Sequence, residues 1–263
     1  MPDAPPIELR YELADGVARL TIDRPEKRNA LSWTVLTELR RRLAQIKVDP
    51  AARVVVLTGA GDRAFCAGAD LTGMATGAGH LALHDSRGEL AALFADLWQL
   101  GKPTIARVRG YALAGGMGLA LACDLVVAAE DAVFGTPEID VGLWPYMITV
   151  PLMRSMPPKK ALELMMTGRR VDAAEAERIG FVNRVVAADQ LDEAVDTLAA
   201  TLAAKSPSTL RLGRDSFYDV WDSSAADALP LLHALLTVTA ATDDAAEGIA
   251  AFAERRTPDW TGQ

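Results

Sequence analysis

The first part of the chain alternates apolar and polar residues, the pattern of β-strands with one buried face. Two such runs, Ile7–Leu13 and Val17–Ile22, flank the turn sequence ADG and predict a β-hairpin. Ser32 then stands as the N-cap of an amphipathic helix. Its apolar positions follow helical spacing and predict a buried face formed by Val35, Leu36, Leu39, Leu43 and Ile46.

Further along the chain, short β-branched runs alternate with helical patterns. The segments RVVVLTG, KPTIARVRG and DLVVAAEDAVFG each predict a buried strand, with a helix around Leu90–Leu100 between the first two. This order predicts an α/β core with right-handed crossovers. After Glu138 the pattern becomes helical, and the predicted helices are Lys159–Thr167, Ala173–Ile179 with Asp172 as cap, Leu191–Ala204, and a helical region from the cap Ser206 to about Arg255.

Composition is that of an ordinary globular protein, because 50% of the 263 residues are hydrophobic and 24% are charged. This length fits one main core with an appendage. A formal charge of −8 argues against a nucleic-acid partner. Cys66 and Cys123 stand in apolar surroundings, so we expect buried, reduced thiols and a cytoplasmic location. The N-terminus lacks the basic and apolar segments of a secretory signal.

The segment GYALAGGMGLALACD, Gly110–Asp124, is almost wholly apolar and rich in glycine. A membrane span needs about 20 apolar residues. Here the apolar run contains Asp124, and a carboxylate inside a bilayer is costly. The segment therefore predicts a core element, and we expect no membrane partner.

Several common reaction sites are missing from the sequence. GAGDRAFCAGAD lacks the Lys-Ser/Thr pair of a P-loop, and GYALAGGMG does not form a dinucleotide-binding G-x-G-x-x-G turn. His80, His84 and His233 lack zinc-ligand spacing, so we expect no metal. A G-x-S-x-G nucleophile elbow is absent as well.

Two glycine turns remain as candidates, CAGAD at Cys66–Asp70 and LAGGMG at Leu113–Gly118, each after a predicted buried strand. If the second turn opens a helix, its first amides have no acceptor inside that helix. Two such amides converging from separate turns would form an oxyanion hole, which binds negative charge as it develops. The alternative is a pair of tight turns whose glycines serve packing.

Four segments together resemble the enoyl-CoA hydratase/isomerase family, also called the crotonase superfamily. They are RPEKRNAL (Arg24–Leu31), AFCAGADL (Ala64–Leu71), GYALAGGMGLALACDLVVAAEDAVFGTPE (Gly110–Glu138) and ATDDAAEGIAAFAERR (Ala241–Arg256). The resemblance implies a repeated β-β-α spiral core over residues 1–205 and a helical C-terminal trimerisation region over residues 206–263. It also implies a homotrimer or a dimer of trimers.

The same resemblance implies an acyl-CoA thioester as substrate and no separate cofactor, because coenzyme A is part of the substrate. The amides of Ala69 and Gly115 would hold the thioester oxygen, and Gly116 would leave clearance. Residues implied to lie near coenzyme A are Lys27, Arg28 and Ala30, with the adenine near Ala67, Asp70 and Leu71. For Lys27 and Arg28 a solvated turn is the alternative, and for Asp70 it is a helix cap.

The catalytic pair of the family's hydratases is incomplete in this sequence. Of the two glutamates that those hydratases use, the first position is Gly118 and the second is Glu138. Tyr146 stands where the family has a glycine that helps to hold water. The interpretation is therefore double-bond isomerisation of an enoyl-CoA with Glu138 as single acid-base group. The alternatives are an enoyl-CoA hydratase with one glutamate and a non-catalytic acyl-CoA-binding protein.

The residues after Glu138 predict the surroundings of its carboxyl group. A pocket lined by Leu143, Trp144 and Met147 would raise the pKa of Glu138 by desolvation. Trp144 and Tyr146 are also candidates for lining the acyl chain. Asp140 is a candidate second acid.

Overall fold

The computed structural model describes residues 8–70 and 80–263. The described residues form ten strands: β1 (Leu9–Ala14), β2 (Val17–Ile22), β3 (Val54–Gly59), β4 (Ala64–Cys66), β5 (Thr104–Val108), β6 (Tyr111–Leu113), β7 (Leu125–Ala129), β8 (Val133–Gly135), β9 (Arg170–Asp172) and β10 (Arg184–Val186). They also form ten α-helices: α1 (Trp33–Val48), α2 (His80–Trp98), α3 (Gly115–Ala122), α4 (Thr149–Ser155), α5 (Pro158–Thr167), α6 (Ala173–Ile179), α7 (Leu191–Ala203), α8 (Pro207–Val220), α9 (Ala225–Ala240) and α10 (Asp243–Glu254).

The strands form two sheets. The first has the order β1-β2-β3-β5-β7-β10, in which only the β1–β2 pair is antiparallel. The second has the order β4-β6-β8-β9, in which β4, β6 and β8 are parallel and β9 is antiparallel to β8. Parallel neighbours require long crossovers, and helices supply several of them.

Strand β3 lies at the centre of the packing, because all six of its residues are buried. Val55 and Leu57 belong to the larger core, which α1 and α3 complete on one side of the sheet. Val54 and Val56 belong to a second cluster, which α7 covers on the other side. A strand buried on both faces explains the unbroken β-branched run in the sequence.

Most of the predicted elements are confirmed. The hairpin forms through Asp15 and Gly16, whose φ angles of 51° and 79° suit a tight two-residue turn. Ser32 caps α1, whose buried residues are those predicted. The Asp172 side chain accepts a hydrogen bond from the N–H of Glu175, and Ser206 does the same for Thr209, so the caps of α6 and α8 are also confirmed.

Two predictions of elements are wrong. The segment DLVVAAEDAVFG does not form one strand, because a turn at residues 130–132 divides it into β7 and β8, which belong to different sheets. The region after Glu138 is not purely helical, because β9 and β10 lie between its helices. Each of these strands has three residues, and pairing with β8 and β7 rather than local pattern determines them.

The last three helices begin at α8, which is anchored to the core by Arg214. The guanidinium pairs with Asp124 at 2.8 Å and donates to the backbone oxygens of Trp98 at 2.9 Å and Leu97 at 2.6 Å. The division of the chain near residue 206 stays a prediction. Cys66 and Cys123 are both buried and free, as predicted. No single described helix is long and apolar enough to cross a membrane, although α9 and α10, bent by 68°, meet that criterion as a pair.

Candidate active site

Three chain segments meet at one edge of the second sheet. Because β4, β6 and β8 are parallel neighbours, their carboxyl ends lie side by side. Ala69 follows the end of β4 by three residues, Gly115 follows β6 by two, and Glu138 follows β8 by three. The topology thus brings together the two predicted backbone donors and the predicted acid-base group.

The amide of Ala69 is oriented by a short bridge to Leu31. The N–H of Leu31 donates to the oxygen of Gly68 at 2.8 Å, and the N–H of Asp70 donates to the oxygen of Leu31 at 2.9 Å. When one residue bonds to both neighbours of another in a parallel bridge, the N–H and C=O of the residue between them point away. The N–H of Ala69 therefore faces away from Leu31, and it has no acceptor among residues 8–70 and 80–263.

The amide of Gly115 is the first of α3 and has no acceptor inside that helix. The preceding residue, Ala114, has φ 51° and ψ −129°, which a residue with a side chain rarely adopts. This conformation is held by the N–H of Ala114, which donates to the oxygen of Gly135 at 2.9 Å. The strained residue thus lies directly before the second donor.

The two turns pack directly on each other. A Cβ placed on Gly115 would lie 4.0 Å from the amide nitrogen of Ala69. A Cβ on Gly68 would lie 3.5 Å from the amide nitrogen of Gly115 and 2.8 Å from the Cβ of Ala114. The amide nitrogens of Ala69 and Gly115 therefore lie close together, which is one requirement of the predicted oxyanion hole.

Gly116 allows the backbones of the two turns to touch. A Cβ on this residue would lie 2.1 Å from the carbonyl oxygen of Cys66, at the end of β4. The carbonyl of Cys66 and the Cα of Gly116 both belong to packed backbone, so neither could move away without a large cost in free energy. The clearance at Gly116 therefore serves the contact between α3 and β4, whereas sequence analysis related it to the substrate.

Gly118 lies in the first half of α3 and has no room for a side chain. A Cβ there would lie 2.3 Å from Cγ2 and 2.8 Å from Cβ of Ile148, and 3.1 Å from Cζ of Phe94. Both neighbours are buried, with exposed fractions of about 2%. The volume that a carboxylate at position 118 would require is therefore filled by apolar side chains.

Glu138 lies in a short 3-10 helix, Pro137–Val141. One carboxylate oxygen, Oε2, is buried and has no hydrogen-bond partner among the described residues. Burial raises the pKa of Glu138 above its ordinary value, and a hydrogen bond from its own backbone amide opposes this effect. A carboxyl group with a raised pKa and a free oxygen is suited to exchange a proton with a bound molecule.

Residues 12–263 match the sequence model of the enoyl-CoA hydratase/isomerase family. The chain belongs to this family. A 2,3-dehydroadipyl-CoA hydratase of Escherichia coli is 38% identical over 257 residues, which cover 97% of this chain and 99% of the relative. A carnitinyl-CoA dehydratase of Proteus mirabilis is 36% identical over 261 residues, with coverage of 94% and 96%.

A solved enoyl-CoA hydratase from Mycobacterium smegmatis superposes with a TM-score of 0.93 at 33% identity, covering 97% of this chain and 99% of that one. The α/β architecture is thus the crotonase fold that the resemblance implied. Membership of the enoyl-CoA hydratase/isomerase family supports an enzyme that acts on acyl-CoA.

The residues that the family resemblance places near coenzyme A lie beside the turn at Cys66–Asp70. Lys27 and Arg28 are exposed, and the oxygen of Arg28 accepts a hydrogen bond from the N–H of Ala67 at 3.0 Å. Ala30 is half-buried next to them. Leu71 lies outside the described residues.

Asp70 has a well-defined partner on the protein itself. Its Oδ2 pairs with Nη2 of Arg24 at 2.8 Å, and both side chains are largely buried. The family resemblance implied that Asp70 lies near the adenine, with a helix cap as the alternative, and neither expectation included Arg24. An ion pair between residues 46 positions apart leaves no signal in the local pattern.

The segment after Glu138 is much more exposed than the predicted pocket requires. Leu143 is 51% exposed, Tyr146 75% and Met147 39%, whereas Trp144 packs against the core. In this chain alone, Leu143 and Tyr146 therefore do not enclose a pocket. Asp140 is exposed as well, and a Cβ on Gly168 would lie 3.1 Å from both of its carboxylate oxygens.

Other features of the described residues lie away from these turns. No group of three His, Cys, Asp or Glu in residues 8–70 and 80–263 could hold a metal ion. Cavities of about 560 and 420 Å³ lie among the C-terminal helices and between α4 and α8. Neither is lined by Ala69, Gly115 or Glu138.

Proposed function

We propose that this family member stabilises the enolate of an enoyl-CoA thioester and isomerises its double bond with Glu138 as the single proton carrier. The observation that carries the proposal is the difference between positions 138 and 118. Glu138 has a buried carboxylate oxygen without a partner, while the volume beside Gly118 is filled by Ile148. One carboxyl group and two backbone donors suffice for moving a proton between two carbons.

The reaction begins with a 3-enoyl thioester whose carbonyl oxygen accepts hydrogen bonds from Ala69 and Gly115. The carboxylate of Glu138 takes the proton from C2, and the electron pair of the broken C–H bond delocalises over a dienolate. The two amides stabilise the negative charge on oxygen. Glu138 then returns the proton to C4, which leaves a 2-enoyl thioester and the original carboxylate.

The environment of Glu138 supports both halves of this cycle. A base whose pKa is raised by burial holds the abstracted proton better than an exposed carboxylate does. The same group is a usable acid in the second half, because its pKa lies closer to neutrality than that of a free carboxyl group.

The alternative activity is hydration of a 2-enoyl-CoA to a 3-hydroxyacyl-CoA with one glutamate. The names of the relatives favour it, since the Escherichia coli relative is a hydratase and the Proteus mirabilis relative a dehydratase. Against it, Ile148 occupies the space where a second carboxylate would hold water. A third possibility is an acyl-CoA-binding protein without turnover.

A substrate panel separates the three activities. The enzyme is incubated with 2-enoyl-CoA and 3-enoyl-CoA thioesters of several chain lengths, and the double-bond position and the hydroxyacyl product are followed separately. We expect conversion of 3-enoyl-CoA to 2-enoyl-CoA. Rapid formation of 3-hydroxyacyl-CoA would instead establish the hydratase, and a thermal shift with acyl-CoA but no turnover would establish the binding protein.

Glu138→Gln tests the role of the carboxyl group. We expect the turnover of 3-enoyl-CoA to fall about 10²- to 10⁴-fold, the usual contribution of an acid-base group. The matched control is Glu130→Gln, because Glu130 is an exposed glutamate in the turn before β8. Full activity of the Glu138 variant would disprove the assignment.

We further infer a homotrimer or a dimer of trimers. The last two helices support this, because they leave large apolar side chains uncovered in the single chain. Leu229 is 66% exposed, Leu236 67%, Ile249 72% and Phe252 88%. Sedimentation equilibrium measures the assembly, and a monomer at micromolar concentration would contradict the inference.

A further inference from the structure

We propose that Arg24 and Asp70 are positioning residues, which form a buried ion pair that clamps the two segments whose bridge aims the Ala69 amide into the oxyanion hole. The inference rests on the proposed function, since it concerns the same two donors. Neither residue touches the thioester in this scheme. Both act through the backbone of Ala69.

Arg24 is a nearly buried cation with three acceptors. Its Nε pairs with Oε1 of Glu8 at 2.9 Å, its Nη1 donates to the oxygen of Ala30 at 2.6 Å, and its Nη2 pairs with Oδ2 of Asp70 at 2.8 Å. The side chains of Arg24 and Asp70 are 10% and 13% exposed. A planar guanidinium with fixed donor directions holds such acceptors in defined positions.

The contacts of Arg24 lie directly beside the bridge that orients Ala69. Ala30 precedes Leu31 on one side of the bridge, and Asp70 follows Ala69 on the other. One guanidinium therefore holds both segments at the point where they pair. If it were lost, no single side chain would join Ala30 to Asp70, and only the backbone hydrogen bonds and Asn29 would hold the two segments together.

The backbone of Arg24 adds a second connection to the same turn. Its N–H donates to Oδ1 of Asn29 at 3.0 Å, and Nδ2 of Asn29 donates to the oxygen of Ala64 at 2.6 Å. Ala64 begins β4, which leads into the turn. The segment around Arg24 thus contacts β4 before Ala69 and the side chain of Asp70 directly after it.

Small displacements of Ala69 are expected to matter. Hydrogen-bond donors in an oxyanion hole act only when they are aimed at the developing charge, and misplacement by about 1 Å can cost about 100-fold in rate. A clamp that fixes Ala69 therefore affects the polarisation of the bound carbonyl. It has no direct effect on the binding of coenzyme A.

This role differs in its consequences from a contact between Asp70 and the adenine. If Asp70 held coenzyme A, its loss would weaken the binding of free coenzyme A and of acyl-CoA alike. If Asp70 is a positioning residue, its loss leaves the affinity for coenzyme A unchanged and reduces the polarisation of the bound thioester carbonyl. The two roles can therefore be separated by binding and spectroscopy.

The test compares Asp70→Asn with the wild-type protein. Two probes are used, free coenzyme A and butanoyl-CoA labelled with ¹³C at the carbonyl. Titration calorimetry measures both affinities, and difference infrared spectroscopy measures the carbonyl band of the bound thioester. In the wild type we expect this band at lower wavenumber than in solution, because the two amides polarise the carbonyl.

For Asp70→Asn we expect the band to move back toward its solution position, with unchanged affinity for coenzyme A. With a 3-enoyl-CoA substrate, we expect kcat to fall about 10-fold or more while KM stays nearly constant. A band that stays at the wild-type position, or a parallel loss of affinity for both probes, would overturn the inference.

Asp124→Asn is the matched control. Asp124 pairs with Arg214 at 2.8 Å, and their side chains are 18% and 8% exposed, so the pair is buried to a similar degree. It directly precedes β7, and its hydrogen bonds join Thr104, Arg214 and Tyr218, which lie outside both turns. We expect this variant to lose stability as Asp70→Asn does, because each change removes one carboxylate from a buried guanidinium. Its carbonyl band should stay at the wild-type position.

A substitute variant and the wild-type result keep the outcomes distinct. If Asp70→Asn does not fold, Arg24→Lys replaces it, because an ammonium cannot hold three acceptors in fixed directions. If the wild-type protein binds butanoyl-CoA without shifting the band, the hole itself is refuted and the proposed function fails. If the wild type shifts the band from its solution position, and Asp70→Asn and Asp124→Asn shift it by equal amounts, only the role of the ion pair is refuted.

Discussion

Two regions that the proposed function brings into play meet at one edge of a sheet but are built in opposite ways. The first is the proposed oxyanion turns, residues 66–69 and 114–118, and the second is the proposed acid-base segment, residues 137–148. In the oxyanion turns, glycine positions lie against packed neighbours, and a Cβ on Gly116 would come within 2.1 Å of another backbone. In the acid-base segment, Val141, Leu143 and Tyr146 are 64%, 51% and 75% exposed. One part is enclosed by the fold, and the other lies largely on the surface of the chain.

The difference follows from what each part contributes. A backbone amide can be aimed only by fixing the chain on both sides, which requires close packing and a set of glycines. A carboxyl group can be supplied by one side chain on a short helix, and within this segment Trp144 and Ile148 are the residues that pack against the core. We therefore expect substitutions in the oxyanion turns to affect folding, and substitutions in the acid-base segment to affect mainly chemistry.

The largest expected effect on stability comes from Gly116→Ala. The new Cβ would clash with the carbonyl of Cys66, so we expect a loss of about 3 kcal/mol in the free energy of unfolding, the upper part of the range for overpacking. Chemical denaturation measures it. Gly213→Ala in α8 is the control, since a Cβ there meets nothing within 4 Å and should stabilise the helix by about 1 kcal/mol. Equal stability of both variants would remove the basis of the comparison.

Gly118→Ala tests whether Ile148 fills the neighbouring volume. We expect a loss of about 2 kcal/mol, because Ile148 is buried and must move. The double variant Gly118→Ala with Ile148→Ala should lose about 1–2 kcal/mol less in the free energy of unfolding than the two single variants lose together. The smaller side chain at position 148 leaves room for the new Cβ, and the new Cβ fills part of the space left by Ile148. Additive losses in the denaturation experiment would show that Ile148 does not hold this space.

Glu138→Gln should raise stability, and the gain should depend on pH. Burial raises the pKa of Glu138 in the folded state, so the folded state binds the proton more tightly than the unfolded state does. The stability of the wild type therefore falls as pH rises from the unfolded pKa through the folded pKa. We expect the variant to be more stable by about 1 kcal/mol above this window and equal to the wild type below it. A gain that does not vary with pH in thermal melts would contradict the burial of this charge.

The smallest effect is expected for Tyr146→Ser. A side chain that is 75% exposed contributes little to the folded chain, so the free energy of unfolding should change by about 0.5 kcal/mol or less. Denaturation at several protein concentrations separates this value from any effect of assembly. A loss of about 2 kcal/mol that is independent of concentration would mean that the acid-base segment is packed as tightly as the oxyanion turns.

Local pattern was enough for the parts of the fold that depend on neighbouring residues. Spacing in α1 predicted its buried face, and side-chain oxygens at Ser32, Asp172 and Ser206 predicted three helix starts. The glycine turns predicted two backbone donors, and the structure brings Ala69 and Gly115 together.

The features that sequence reasoning missed depend on contacts between distant segments. Strands β9 and β10 have three residues each, and only pairing with β8 and β7 makes them strands. Ile148 lies 30 positions after Gly118, and Arg24 lies 46 before Asp70, so neither contact has a periodic signal. The absence of a carboxylate at Gly118 is visible in the sequence, but the side chain that fills its place is not.

The conformation of Ala114 is set when the chain folds, and with it the position of the proposed donor at Gly115. A residue with a side chain at φ 51° and ψ −129° carries strain of about 1–3 kcal/mol, which the rest of the fold must offset. That cost arises once, when the chain folds, and does not recur in each turnover. The fold itself therefore fixes the position of the Gly115 amide, and the proposed function requires no reorganisation of this turn when a thioester binds.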